Sequence, residues 1–144
     1  MTRAIVLGAE IAREPKVVFE TIATRDGLAS FWTPDVEGDD AVGGELTFGF
    51  GQAPTRLPMQ VERLDQPSEI AWRSTGDWPF WGGTDVTWSI EPTDGGSKVV
   101  FRHTGWADEM PDFDFGSVSL VWATVVSHLK QVVEHDGVPN PALA

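Results

Sequence analysis

The segment KVVFRHTGW, residues 98–106, contains a histidine that could do chemistry. Its apolar and polar residues alternate, which is typical of a strand whose successive side chains point to opposite faces. In that pattern His103 shares one face with Val99 and Phe101, whereas Arg102 lies on the other. An inward imidazole can be a general base, an anchor for a ligand's hydroxyl or carbonyl, or a core side chain with a satisfied hydrogen bond. The last two roles are favoured, because no acidic residue lies on the predicted inner face of any strand to orient the ring.

Other signatures of catalysis or metal binding are missing from the sequence. His103, His128 and His135 lack the spacing of a zinc motif, and the acidic segments DVEGDD and DEMPDFD lack the ligand spacing of a calcium loop. The chain has no cysteine, which excludes disulfides and thiol nucleophiles. It also has no phosphate-binding loop and no serine elbow of a hydrolase. We therefore expect no metal site and no cofactor.

Composition narrows the classes of partner. The net charge of −12 disfavours binding to the phosphate backbone of nucleic acids and to anionic membrane surfaces. Seven tryptophans and eight phenylalanines supply large apolar rings, whereas the absence of tyrosine removes phenol groups from consideration. No segment has the pattern of a signal peptide or the length of a transmembrane helix. We expect no membrane insertion and a cytoplasmic location.

Hydrophobic patterning predicts the elements that position these side chains. The 144 residues are expected to form one domain over 1–144, with 138–144 as a frayed tail. After a first strand, the pattern predicts two short helices, a run of further strands and a long helix over 114–134. Each strand has one apolar and one polar face, as in an antiparallel sheet covered on one side. The fold class is therefore α+β, with six strands assigned from the pattern and the long helix across a curved sheet.

Five stretches follow one another along the chain: AREPKVVFETIATRDGLASFW, VGGELTF, VERLDQPSEIAWR, TDVTWSIEPTDGGSKVVFRHTGW and VWATVVSHLKQVVEHDG. In this order they resemble the helix-grip superfamily. This START and birch-pollen-allergen-like group is also called SRPBCC, and the branch resembled is named after the activator of the heat-shock chaperone ATPase. The resemblance implies a seven-stranded antiparallel sheet that grips the C-terminal helix around a cavity. The seventh strand would come from the region 36–42. The usual activity implied is binding of a small apolar molecule, and a minority of relatives, such as polyketide cyclases, are enzymes.

The inward rings of the strands and of the long helix are the candidate walls of that cavity. They would either line an apolar pocket that contains a few polar groups, or fill the space between sheet and helix completely. We favour a usable pocket. The candidate cavity residues are Phe48, Phe50, Met59, Trp72, Trp81, Trp88, Phe101, His103, Val118, Trp122 and Val125.

The segment GDWPFWGG, residues 76–83, holds three rings in one turn-rich connection. So many apolar rings are not expected to be fully solvated. The segment could fold back onto the core, cover the mouth of the cavity as a lid, or present a patch to a partner chain. The sequence does not separate these three interpretations.

The sequence therefore predicts binding of a small hydrophobic or amphipathic molecule between the sheet and the C-terminal helix. Two alternatives stay open. The first is a cyclase- or hydrolase-like enzyme that uses His103 as general base, although we lean away from an enzyme. The second is a chaperone-regulating or other protein-interaction module that uses the Trp78–Trp81 loop. The same loop could join two copies of the chain in a homodimer.

Overall fold

Antiparallel strands form the scaffold of the protein. The computed structural model describes residues 3–51 and 53–135, and the tail expected at 138–144 lies outside the described residues. These residues form the elements β1 (Arg3–Ile11), α1 (Pro15–Ala23), α2 (Arg25–Phe31), β2 (Asp35–Gly38), β3 (Glu45–Gly49), β4 (Leu57–Asp65), β5 (Glu69–Ser74), β6 (Asp85–Thr93), β7 (Gly96–Trp106) and α3 (Asp112–Glu134). Within the two described ranges, every helix is too short or too polar to span a bilayer.

The strands form one open sheet in the order β1-β7-β6-β5-β4-β3-β2, and all neighbours are antiparallel. The expected helix-grip α+β fold with seven strands is confirmed. The seventh strand is β2, which overlaps the region 36–42. Its sequence DVEG is short and mostly polar, so hydrophobic alternation could not reveal it.

The inner face of the sheet is built from alternate residues of each strand. On β7, Val99, Phe101 and His103 are buried, whereas Lys98 and Arg102 are exposed, which confirms the predicted direction of the histidine. The same alternation buries Val86 and other apolar residues of the neighbouring strands. Because only this face is apolar, the other elements must pack against it.

Helix α3 covers the inner face with one side. Its buried residues include Trp122, Val125, Leu129 and Val132, which recur at helical spacing. The acidic Asp112 and Asp114 lie in the first turn, and the positive end of the helix dipole favours negative charge there. The opposite side of α3 faces solvent and carries several exposed apolar residues, namely Phe113, Leu120 and Val121.

The short helices α1 and α2 meet at a close contact that places Trp32 over the sheet. Helix α2 begins after Thr24, whose hydroxyl accepts a hydrogen bond from the Gly27 N–H at 3.1 Å. A Cβ atom at Gly27 would lie only 2.0 Å from the carbonyl oxygen of Thr21 in α1. The missing side chain therefore allows the two helices to approach. Trp32 directly follows α2, and its ring lies 4.2 Å from that of Phe48.

Substitution of Gly27 by alanine should separate α1 from α2. We expect Gly27→Ala to lower the free energy of unfolding by about 1–3 kcal/mol, because the added methyl group meets backbone that cannot rotate away. A matched control is Gly116→Ala in α3, where nothing lies within 4 Å of the added atom. There alanine should stabilise the protein by about 0.5–1 kcal/mol through its higher helix propensity. Urea denaturation of both variants measures the contrast, and equal effects would contradict the close-contact argument.

Candidate ligand-binding site

A cavity of about 340 Å³ lies beside the N-terminal half of α3. This volume is in the lower part of the range of roughly 300–1,000 Å³ that is usual for ligand pockets. Its walls come from α3, the end of α2, the ends of β3 and β4, and the loop over residues 76–83, here called the aromatic loop. The lining residues are Trp32, Phe50, Leu57, Trp78, Trp81, Ser117, Val118, Val121 and Trp122.

Aromatic rings make up most of the wall and contact one another in a continuous series. The Trp32 ring lies 4.9 Å from that of Trp122 and 5.8 Å from that of Phe50. The Phe50 ring lies 5.8 Å from that of Trp78, which lies 5.8 Å from that of Trp81. The interplanar angles are tilted or near perpendicular, as aromatic rings prefer. The wall therefore offers flat apolar surfaces on several sides.

Polar groups are few in this wall, and none of the lining side chains is charged. The Ser117 hydroxyl donates to the carbonyl oxygen of Phe113 at 2.9 Å, which leaves its lone pairs free to accept. The buried indole N–H of Trp78 has no hydrogen-bond partner within the described ranges. An ionised ligand would lose its hydration without gaining a counter-charge, so the geometry suits an uncharged molecule.

The structure brings four of the sequence-predicted cavity residues together in the wall: Phe50, Trp81, Val118 and Trp122. It places the other seven in the packed core and not in the lining: Phe48, Met59, Trp72, Trp88, Phe101, His103 and Val125. The rings among them fill the space beneath the cavity by contacting one another. The Phe101 ring, for example, lies 4.8 Å from that of Trp88 and 4.4 Å from that of Trp122.

Sequence reasoning did not list five of the lining residues: Trp32, Leu57, Trp78, Ser117 and Val121. Ser117 and Val121 lie on α3 positions that also face solvent, so an apolar stripe could not identify them. Trp32 lies beyond the end of α2, where no periodicity applies. Trp78 carried a usable signal, because three rings in one short loop suggested a lid.

His103 lies behind the wall, and both of its ring nitrogens are hydrogen-bonded. The indole N–H of Trp122 can only donate, so His103 Nδ1, 3.0 Å away, accepts. The proton of the neutral ring therefore lies on Nε2, which donates to the Thr84 hydroxyl at 2.8 Å. That hydroxyl in turn donates to the carbonyl oxygen of Trp81 at 2.6 Å. These bonds connect β7, α3 and the aromatic loop.

This environment does not suit a general base. Burial lowers the pKa of His103 from 6.5 to about 3, far below the range in which a base works best at neutral pH. Its one free lone pair already accepts from Trp122, and the ring does not line the cavity. The bonds instead give His103 a positioning role, since the rings of Trp122 and Trp81 form part of the wall.

The aromatic loop folds back over the cavity. Trp78 and Trp81 are half-buried and line it, whereas Phe80 is 41% exposed. The Trp81 N–H donates to the Trp78 carbonyl oxygen at 3.0 Å across a turn with Pro79 in second place. Phe80, in third place, has a φ of 68°, which is a left-handed conformation that glycine usually adopts. The loop thus folds back onto the core and also covers the cavity, whereas the Phe80 ring stays at the surface.

Comparison with known proteins identifies related sequences and structures. The sequence profile of a family described as "Activator of Hsp90 ATPase homolog 1-like protein" matches residues 12–134. No curated protein matches the chain.

Solved structures with the same fold include a dimeric Aha1 from Colwellia psychrerythraea, with 26% identity and a TM-score of 0.82 over 92% of this chain and 96% of that chain. A Mesorhizobium loti protein has 17% identity and a TM-score of 0.79 over 92% and 98% of the two chains. CalU16 from Micromonospora echinospora has 14% identity and a TM-score of 0.74 over 99% and 80%. The last two similarities concern the fold alone.

Acidification should destabilise the fold through His103. Above pH 6.5 the imidazole is neutral in both the folded and the unfolded chain. As the pH falls below 6.5, the unfolded chain binds a proton at this site, and the folded chain does not until the pH approaches about 3. In this window the free energy of unfolding should fall by up to about 1.4 kcal/mol per pH unit.

Urea denaturation at several values between about pH 4 and pH 7 can isolate this contribution. The variant His103→Gln has an amide that can accept from Trp122 and donate to Thr84, but it does not titrate. We expect a shallower pH dependence in that variant than in the natural protein. The control His135→Gln replaces an exposed histidine, and its free energy of unfolding should depend on pH as steeply as that of the natural protein. The same slope in all three proteins would contradict the assignment.

The left-handed conformation of Phe80 predicts an unusual order of stability. Phe80→Gly and Phe80→Ala remove the same ring, but only alanine keeps a Cβ atom that is unfavourable at positive φ. We expect Phe80→Gly to be about 1 kcal/mol more stable than Phe80→Ala. At Leu120, on the exposed face of α3, the glycine variant should instead be about 1 kcal/mol less stable than the alanine variant. Thermal and urea denaturation of the four variants can measure both orders.

Proposed function

The chain belongs to the family of Activator of Hsp90 ATPase homolog 1-like proteins, and we propose that it binds a small uncharged molecule in the aromatic cavity. The observation that carries this proposal is the cavity itself. Five mutually contacting rings surround about 340 Å³ between α3 and the aromatic loop, and no charged side chain lines that space. The fold is one whose members commonly bind hydrophobic ligands, which supports the same function.

The chemistry of the wall describes the ligand. Affinity would come from apolar surface removed from water, at about 25 cal/mol per Å². The indole N–H of Trp78 could donate to an acceptor on the ligand, and the Ser117 hydroxyl could accept a hydrogen bond from it. Trp78 and Ser117 are both lining residues of the cavity. The expected ligand is therefore a hydrophobic molecule, or an amphipathic one with a carbonyl or hydroxyl group.

Turnover receives little support from this geometry. A general base must reach the proton that it removes, and His103 lies behind Trp81 and Trp122 with both nitrogens engaged. Its depressed pKa also makes it a weak proton acceptor at neutral pH. We therefore propose binding without chemical conversion, in preference to the cyclase- or hydrolase-like alternative.

Interaction with another protein chain is the second candidate function. The dimeric Aha1 from Colwellia psychrerythraea is 26% identical over nearly the whole chain, and this supports a homodimer here as well. The aromatic loop offers one exposed ring, Phe80, because Trp78 and Trp81 face the cavity. A partner that used this loop, whether a second copy or a chaperone, would contact Phe80 first.

A neutral fluorescent probe can test the cavity. N-phenyl-1-naphthylamine is uncharged and brightens in apolar surroundings, so its emission should rise on titration with the protein. Val118→Phe places extra atoms in the lining and should weaken binding by at least about tenfold, which is about 1.4 kcal/mol. Leu120→Phe is the matched control, because Leu120 lies two residues away on α3 and is 70% exposed outside the lining.

The control variant should bind the probe within about twofold of the natural protein. Urea denaturation of both variants would show that each is folded, so that a loss of affinity reports on the cavity. Equal affinity in Val118→Phe and Leu120→Phe would contradict the proposal, as would the absence of any probe emission with the natural protein.

A further inference from the structure

The two edges of the sheet are protected to different degrees. An unpaired strand edge tends to pair with other chains unless it is short, charged or covered. At one edge, β2 has four residues and carries the carboxylates of Asp35 and Glu37. Arg56 donates to the Asp35 side chain at 2.7 Å and to its carbonyl oxygen at 3.3 Å. The short length of β2, its two carboxylates and the bonds from Arg56 therefore all protect this edge.

The other edge, β1, is shielded only along its second half. Lys130 of α3 donates to the carbonyl oxygen of Glu10. Glu134 accepts a hydrogen bond from the N–H of Ala12 at 2.8 Å, directly after the strand. Because these groups bond to side chains of α3, the C=O of Glu10 and the N–H of Ala12 must point away from β7. Side chains of α3 thus cover the end of this edge.

The first half of β1 has no such cover. Backbone groups alternate in direction along an antiparallel strand, so Ala4, Val6 and Gly8 present their N–H and C=O groups on the same side as Glu10. Within the described ranges these groups have no hydrogen-bond partner on that side. Val6 is 56% exposed, and no charged residue or proline interrupts the strand between Arg3 and Glu10.

A groove lies next to this edge. It has a volume of about 450 Å³ and runs between β1 and α3. Several of its lining residues are small, including Gly8, Ala9, Ala123 and Ser127. An additional Cβ atom at Gly8 would meet only the Val99 carbonyl oxygen, at an ordinary 3.6 Å. Leu7, Glu10, Val126 and Lys130 complete the lining, so a second backbone would approach most closely at Gly8.

We propose that a second copy of this chain occupies the edge, with its β1 antiparallel to this β1 and centred on Val6. This inference rests on the proposed homodimer and assigns its surface. In that register Val6 lies opposite the partner's Val6, and Ala4 lies opposite the partner's Gly8. The free donors and acceptors of one copy then meet those of the other, as a two-fold axis requires. The two sheets become one continuous sheet.

The register is selected by the part of β1 that α3 already covers. Moving the centre to Leu7 would place Ala4 opposite the partner's Glu10, whose carbonyl oxygen is bonded to Lys130. Centred on Val6, the ladder uses the uncovered groups and leaves that bond intact. Each copy has a net charge of −12, so the two repel at low ionic strength. The dissociation constant of the dimer should therefore fall as salt is added.

Sedimentation of the full chain over a range of concentrations tests this surface. The natural protein should be a dimer, and Val6→Lys should raise its dissociation constant by at least about tenfold, because edge lysines oppose strand pairing. Val42→Lys is the control, since Val42 is exposed in the turn before β3 and lies far along the sheet from β1. It should leave the dimer intact. A natural protein that is monomeric at all concentrations would overturn both the homodimer and this inference.

A cross-linking experiment tests the register, because the chain has no cysteine of its own. Opposed residues in a hydrogen-bonded pair have Cα atoms about 5.5 Å apart, within reach of a disulfide. Val6→Cys should therefore form covalent dimers under mild oxidation, and Phe80→Cys and Val42→Cys should not. Covalent dimers of Phe80→Cys with none of Val6→Cys would overturn the β1 surface and leave the homodimer standing. Probe binding in the cavity is measured independently of either result.

Discussion

A fully buried imidazole needs partners for both of its nitrogens, and in this protein the partners of His103 are the groups that position the cavity wall. Trp122 donates to Nδ1, and the Thr84 hydroxyl accepts from Nε2 and donates to the carbonyl oxygen of Trp81. Removing any one member would leave a buried polar group unpaired, at a cost of about 1–3 kcal/mol. The strand, the helix and the aromatic loop must therefore hold one arrangement, and the cavity depends on it.

The aromatic residues divide into two groups according to the elements that carry them. Rings on alternate positions of neighbouring strands, such as Trp72, Trp88 and Phe101, contact each other closely and leave no room for a ligand. Rings carried by connections, such as Trp32 and Trp78, cannot be placed as regularly as those of a pleated strand. Open space remains where these irregular rings meet α3.

Sequence patterns predicted the parts of this protein that follow a period. The alternation in β7 placed His103 inside, and Trp122 and Val125 of the predicted long helix are buried against the sheet as expected. The cavity lining was predicted only in part, because it depends on how far the aromatic loop folds back. The partners of His103 are 19 residues away on either side in sequence, and no local pattern could connect them. The same limit explains why β2 was expected only from the family resemblance.

Helix α3 takes part in both proposed activities. Its residues Ser117, Val118, Val121 and Trp122 line the cavity, and its residues Ala123, Val126, Ser127 and Lys130 line the groove beside the open edge of β1. A rigid helix that contacts a ligand at one end and a sheet edge at the other provides a physical link between the two sites. Coupling between pairing of two copies and filling of the cavity would require two discrete arrangements of this helix, each favoured by both events. Such coupling would be reciprocal: a ligand that strengthened pairing of two copies would itself bind more tightly to the dimer, by the same factor.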